Sequence, residues 1–442
     1  MTARCKSLQT TTGGVFMAAQ GHKIAVIGAG ISGLASAYFL ARQHEVVLYE
    51  AASYLGGHTN TVDVALEDKS FAVDTGFLVF NEATYPNLIA LFDELGVSSY
   101  GTEMSFGVSM EQGAFEWAGS NLDTVFAQRR HVLSPGFLCM LKDILRFNRA
   151  APANLQISLQ QPLTLGQLLA AGGYGAMFRD AYLLPMAAAI WSSAPADILA
   201  FPASTFLRFC LNHGLLQISG RPQWRTVLGG ARSYVRKIAA TLPHVRLNAR
   251  VDSVFKHGRQ FAVRTDAIEE HYDAVVFATH APQTLQMLRD ATAEEQRLLS
   301  AARYQANVAY LHTDANLMPQ RRKVWSSWNY LGGAAVEGQR PVCVSYWLNQ
   351  LQALPCKTDV MVTLNPFAAP RPEHVIARFD YEHPVFDQAA IAAQQQLPSI
   401  QGRRGLWFAG AWSGYGFHED GLKSALRVAA DFDLAPAWAK VQ

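Results

Sequence analysis

KIAVIGAGISGLASAYFLARQHEVVLYE, running from Lys23 to Glu50, decides the fold. Lys23 to Ile27 is a short apolar run that ends in glycines. Ile31 to Arg42 then repeats apolar residues at helical spacing, and Glu45 to Tyr49 is apolar again. The pattern predicts strand, turn, helix, strand. The turn, Gly28-Ala29-Gly30-Ile31-Ser32-Gly33, is G-x-G-x-x-G placed directly after a strand and opening a helix, the context that a dinucleotide fingerprint requires. Gly28 permits the tight turn, Gly30 lets backbone approach a pyrophosphate, and Gly33 lets helix and strand pack closely. Ile31 and Ser32 begin the helix, whose N–H groups and positive dipole end favour an anion. Glu50 ends the second strand, 17 positions after Gly33 (50 minus 33), where a carboxylate can accept from a ribose hydroxyl. An acidic residue there serves an unphosphorylated nicotinamide dinucleotide or FAD equally well.

The 442 residues exceed the size at which one hydrophobic core usually stops growing, so two domains are expected. Half the residues are hydrophobic and 16% are charged, as in an ordinary globular protein. A formal net charge of +2 with dispersed basic residues argues against a nucleic-acid partner. Five cysteines (Cys5, Cys139, Cys210, Cys343, Cys356) lie far apart with no C-x-x-C pair, which points to a reducing, cytoplasmic compartment. The thirteen histidines do not cluster, and no H-E-x-x-H, G-x-S-x-G, Walker or zinc-spaced pattern occurs, so hydrolase and metal chemistry are not expected. The most apolar stretch, Ala181 to Trp191, is interrupted by Pro185 and is too short to span a bilayer. Residues 1–20 lack the apolar core of a signal peptide and are expected to be a disordered leader, with Met17 a second possible start.

Beyond the glycine turn, Met104, Phe106, Val108 and Met110 alternate with smaller or polar residues. Glu111-Gln112-Gly113 then supplies a turn before Ala114 to Trp117, so a hairpin is expected between Tyr100 and Trp117. Ser134 to about Leu216 is helical in pattern. Strand-like segments return as VRLNARVDSVF, QFAVRT and YDAVVFA. A second, aromatic-rich group, NVAYLHT, KVWSSWNY, VCVSYWL and DVMVTL, suits an antiparallel sheet.

Three further motifs carry a resemblance. Gly56-Gly57-His58-Thr59-Asn60-Thr61 resembles the second glycine-rich turn of the flavin-containing amine oxidase and phytoene desaturase superfamily, with His58 where an Arg usually follows the glycine pair. Phe71 to Phe77 is similar to the segment whose backbone passes the flavin ring, which places Gly76 and Phe77 beside it. Gly405 to Gly410, followed by Asp420-Gly421-Leu422 and a helix-forming run, is similar to the superfamily's C-terminal signature, with Ala411 where many relatives carry an acid. Val251 resembles the residue whose backbone meets the adenine. GAGISG, GGHTNT and GYGFHEDGL together also resemble a bacterial FAD-binding group similar to the N-terminal part of plant cyclopropane fatty acid synthases.

The resemblance implies FAD as cofactor. Its contacts would come from Gly28, Gly30, Ile31, Ser32, Gly33, Glu50, Gly57, His58, Thr59, Gly76, Phe77, Val251, Gly410, Ala411, Asp420, Gly421 and Leu422. It implies an α/β fold, with a Rossmann-like FAD-binding domain built on a parallel sheet (21–85, 215–285, 395–435). Interleaved with it would be a substrate domain of antiparallel sheet plus helices (86–214, 286–394). The implied activity is an oxidoreductase that takes a hydride from an apolar, lipid acyl substrate. A flavin accepts hydride at its own ring, so the protein need only orient substrate, exclude water and manage protons.

Aligning Asp420-Gly421 with the superfamily's Glu-Gly puts His418 at an aromatic-cage position and makes it one catalytic expectation. Lys323, before WSSWNY, is the other, by analogy with a lysine near the flavin. Thr279 and His280, ending YDAVVFATHAP, fit either the cofactor or plain core. Trp325, Trp328, Tyr330, Tyr346 and Trp347 fit an apolar pocket or a core equally. Arg129 to Arg149 mixes basic residues with Phe137, Leu138, Leu141, Leu145 and Phe147, a pattern shared by a peripheral contact with the inner membrane face and an ordinary amphipathic helix. Oxidation of a small amine is the second functional expectation, and a non-redox mutase or nucleotide-binding protein the third. The sequence names no electron acceptor.

Overall fold

The computed structural model describes residues 21–191, 195–217, 220–333 and 342–440; the expected leader, residues 1–20, lies outside them. Five parallel strands form the central sheet in the order 244–246, 45–49, 23–27, 274–277, 406–408. Apart from Lys23, at its start, the first strand is buried, as a parallel strand covered on both faces must be. Its side chains divide by alternation. Ile24 and Val26 join the core under helices Ile31–Leu40 and His418–Asp431, while Ala25 and Ile27 join the core under the antiparallel sheet 251–272. The expected strands Lys23–Ile27 and Glu45–Tyr49 are present with those bounds.

A second, seven-stranded sheet runs in the order 375–385, 303–312, 361–364, 342–347, 328–332, 106–110, 115–118. It is antiparallel except where Trp328–Gly332 lies parallel to Phe106–Met110. Helices between residues 135 and 212 close its face in a large core that includes Phe137, Phe147, Phe178 and Phe206. The molecule is therefore α/β, with a parallel Rossmann-like sheet and a mixed, largely antiparallel second sheet.

Three expected strands differ. VRLNARVDSVF is two strands, His244–Arg246 on the parallel sheet and Val251–His257 on another. Between them Asn248 takes a left-handed turn (φ 51°), and the N–H groups of Asn248 and Ala249 donate to Ala52 and Glu50 carbonyls at 3.0 and 2.8 Å. The chain thus leaves one sheet by wrapping the end of its neighbour. Tyr100 belongs to Ser99–Thr102, which pairs with Trp224–Val227, while the expected hairpin is Phe106–Met110 with Phe115–Ala118. In KVWSSWNY only Trp328 onward is strand, because Arg322–Val324 forms a short 3-10 turn.

Candidate functional site

One cavity of about 970 Å³ runs from the carboxyl ends of the parallel strands to the face of the second sheet. Its first half is built from backbone. Gly28 adopts φ +97° and donates its N–H to the Tyr49 carbonyl at 2.8 Å; a Cβ there would sit 2.8 Å from the Ala278 carbonyl oxygen. A Cβ on Gly33 would stand 1.8 Å from the Gly28 oxygen, so the helix can approach the turn only through glycine. Gly30 lines the cavity and its missing Cβ would meet nothing within 4 Å, which leaves room for a ligand against the chain. Ile31 and Ser32 line the cavity beside it.

The Glu50 carboxylate accepts the N–H groups of Ala29 and Ala52, each at 2.8 Å, and is thereby fixed at the strand end. Val251, buried, closes the wall beside it with Ala249 and Arg250. The second glycine turn lies against the first: Gly56 N–H donates to Ala29 O at 2.9 Å, and a Cβ on Gly57 would come within 3.2 Å of Gly30 Cα.

Next along the cavity, aromatic and imidazole rings replace backbone. Gly76 passes so close beneath His58 that a Cβ would lie 2.2 Å from its carbonyl oxygen, which also accepts the Phe77 N–H at 2.9 Å. The His58 ring stacks on Tyr381 at 5.0 Å between centroids and faces His383 at 5.4 Å. Its Nε2 is buried without a hydrogen-bond partner. Burial, aided by His383, His280 and His418, holds His58 well below the ordinary imidazole pKa, and burial brings His383 down to about 4. His280 stacks on Tyr304 and places Nδ1 2.8 Å from Glu382 Oε2; burial lowers its pKa while that carboxylate opposes the shift. Thr279 lines the cavity beside it.

His418, the first residue of the last helix, lies face to face with Phe77 at 3.7 Å. Its Nε2 is 2.8 Å from Thr59 Oγ1 and 3.2 Å from the Tyr234 hydroxyl, which are themselves 2.6 Å apart. Burial pushes its pKa down to about 3, so the ring is neutral at ordinary pH.

Four residues expected to touch a cofactor, Thr59, Asp420, Gly421 and Leu422, do not line the cavity. Thr59 turns its hydroxyl to His418 and Tyr234. Asp420 accepts the Phe417 N–H at 3.0 Å and caps its own helix; burial raises its carboxyl to about 6. Gly421 lets that helix cross Ile31–Leu40, since a Cβ would lie 2.7 Å from Ile31 Cγ2, and its carbonyl accepts from Ser32 Oγ at 3.0 Å. Leu422 is fully buried in the core because the register of the helix turns it away. Gly410 and Ala411 do line the cavity, and Gly410 N–H donates to Ser424 Oγ at 2.9 Å.

Lys323 is not brought to the cavity. It lies on the surface, 3.5 Å from Asp123, because its 3-10 turn precedes the strand that lines the site. The aromatic strands split likewise: Trp328 and Tyr346 line the cavity and Tyr330 is core, whereas Trp325 and Trp347 pack against the Arg322 guanidinium outside it. Met104, Trp117, Ile144, Met186, Ile190 and Trp191 give the far half its apolar lining. Tyr381 and His383 escaped sequence reading, although their spacing along Val375–Val385 puts both on one face of a strand. Among the described residues no group of His, Cys, Asp or Glu is placed to hold a metal ion.

A family model for NAD(P)-binding Rossmann-like domains matches residues 26–95. A Mycobacterium tuberculosis protein named for flavin-containing monoamine oxidase activity, AofH, is 27% identical over 270 residues, 58% of this chain and 56% of that protein. The chain thus spans little more than half the length of the curated relatives it matches. Among solved structures, a fatty acid isomerase from P. acnes that produces CLA superposes with TM-score 0.64 and 16% identity, covering 93% of this chain and 98% of that one. Putrescine oxidase bound to putrescine gives 0.62 and 16%, over 93% and 99%. Cyclohexylamine oxidase from Brevibacterium oxydans gives 0.60 and 17%, over 93% and 99%. At these identities the structures establish the shared fold.

Proposed function

We propose that this chain is an FAD-dependent oxidoreductase that takes a hydride equivalent from an apolar substrate, a lipid acyl chain, and so dehydrogenates it. The observation that carries this is a single cavity joining a dinucleotide cradle to an apolar half. The residues fit the cofactor. Gly30 leaves space for a pyrophosphate at a helix start, Glu50 is fixed for a ribose, and the unpartnered His58 Nε2 awaits a polar neighbour. Gly76, Phe77, Gly410 and Ala411 would border the ring.

When bound, FAD supplies the two-electron acceptor. The chain's own task is to hold an extended apolar substrate, exclude water and receive a proton. A pKa near 3 makes His418 a weak base, so its part in this reading is to position Phe77 through the stack. His280 is better placed to hold a proton, because Glu382 faces its Nδ1 and stabilises the imidazolium. A yellow flavin spectrum, bleached without oxygen by fatty acyl substrates, tests the proposal; a colourless preparation that resists reconstitution with FAD overturns it in favour of a non-redox nucleotide-binding protein.

The names of the amine oxidases that this chain resembles favour a second reading, oxidation of a small amine. Against it, the ring at the expected cage position is an imidazole stacked on Phe77. Peroxide release with a panel of amines decides between the two.

A further inference from the structure

The apolar half of the cavity opens beside a surface that an isolated globular protein has little reason to expose. Leu122 is 77% exposed, Leu133 86%, Leu138 44% and Leu145 53%, all within one stretch of chain, residues 122–145. Leu122 and Leu145 also line the cavity, together with Val125, Leu141 and Ile144, so the patch and the mouth are continuous. Helix Pro135–Gln160 divides its residues by face: Phe137, Met140, Phe147 and Ala151 are buried, while Leu138, Lys142, Leu145 and Arg149 recur at three- and four-residue spacing on the exposed side.

Charge along this stretch of chain is one-sided. Between residues 122 and 149 there are five cations (Arg129, Arg130, Lys142, Arg146, Arg149) and two anions (Asp123, Asp143), a net of +3. Both anions are engaged, Asp123 by Arg129 and Lys323 and Asp143 by Arg146. No acidic side chain among the described residues is paired with Lys142 or Arg149. Exposed leucines interleaved with free cations suit a layer that is apolar beneath and anionic at its face. A second copy of this chain, itself carrying the same positive patch, would meet like charge.

We propose that residues 122–149 form a docking surface for the anionic face of a lipid bilayer, holding the cavity mouth against the membrane so that an acyl chain passes into it without crossing water. The inference rests on the acyl-substrate reading for its purpose, but its test does not require turnover. Among the described residues no helix is long and apolar enough to cross a membrane, so the contact is peripheral.

Flotation of the flavin-loaded full chain with phosphatidylglycerol-containing vesicles and with pure phosphatidylcholine vesicles tests it. Binding is expected to the anionic vesicles, to weaken severalfold between low and physiological salt, and to fall by roughly fivefold or more for each of Lys142→Glu and Arg149→Glu. The double variant Leu133→Asp/Leu138→Asp, at exposed positions that leave the core untouched, is expected to abolish it with the melting temperature and flavin content unchanged. No flotation with either vesicle, or flotation that these variants leave intact, overturns the proposal. So does a dimer in analytical ultracentrifugation that Leu133→Asp/Leu138→Asp splits, which assigns the patch to a second copy. A protein that floats as described yet leaves every acyl substrate untouched overturns the substrate reading and leaves the surface standing.

Discussion

The two halves of the cavity are made by opposite means. At the nucleotide end, glycines remove side chains and leave open space against the backbone beside one fixed carboxylate. At the apolar end, large side chains from four or more distant segments supply the surface. Backbone geometry tolerates almost no substitution, because the clashes at Gly33 and Gly76 are with carbonyl oxygens that belong to the fold itself. A side-chain lining can be reshaped one residue at a time. The glycine-built end is therefore the less tolerant of substitution, and the side-chain-lined end the more.

The sharpest contrast is expected from Gly33→Val, which would drive a side chain into the Gly28 carbonyl. A loss of at least about 3 kcal/mol of stability and of all bound flavin should follow, read by thermal melting and by absorbance. Retention of flavin would break the comparison at its stronger end.

Acid comes next and acts on buried rings, three of which, His213, His383 and His418, line the cavity. Burial holds His213, His383 and His312 at about 4 and His418 at about 3, all below the ordinary value of 6.5. A depressed imidazole pKa means that the fold prefers the neutral ring. The stability it contributes is complete above about pH 6.5 and is lost as pH falls through 6 toward 4, on the order of 3 kcal/mol for each ring. His312 shows why: Nδ1 accepts the Asp314 N–H at 3.0 Å and Nε2 meets Thr363 Oγ1 at 2.7 Å, so a second proton has no acceptor. Denaturant melts at pH 7 and 4.5 should show a steep loss, and a flat profile would contradict it.

Glu50→Gln leaves one oxygen to serve two N–H groups. The expected cost is about 1–3 kcal/mol, seen as a ten- to hundredfold weaker FAD affinity by titration of the apoprotein. Ile144→Trp fills part of the apolar end. Turnover of long acyl substrates should fall by about tenfold while flavin content and the melt stay unchanged. The smallest effect belongs to Lys323→Ala, a surface change expected to stay within about 0.5 kcal/mol and to leave kcat as it was. A large loss of kcat there would restore the catalytic role that the analogy with a flavin-side lysine implied.

The same contrast explains what the amino-acid sequence revealed. Gly28, Gly30, Gly33 and Glu50 were legible because one contiguous segment holds them and local spacing carries their geometry. The helices after Ser134 and the hairpin around Glu111 were legible for the same reason, through periodicity and turn residues. His58, His280 and His383 meet only because three remote segments converge on the strand ends, and no spacing records that. Thr59 and Leu422 share motifs with lining residues, yet their backbone directions turn them to other tasks. Glu419, beside them, caps a different helix by accepting the N–H groups of Asn87 and Leu88.

The most direct test of the whole account is anaerobic titration of the bound flavin with long-chain fatty acyl substrates set beside small amines. The account requires a yellow protein whose flavin absorbance bleaches with the acyl substrate and is unchanged by the amines. Bleaching by an amine with none by any acyl chain would contradict it.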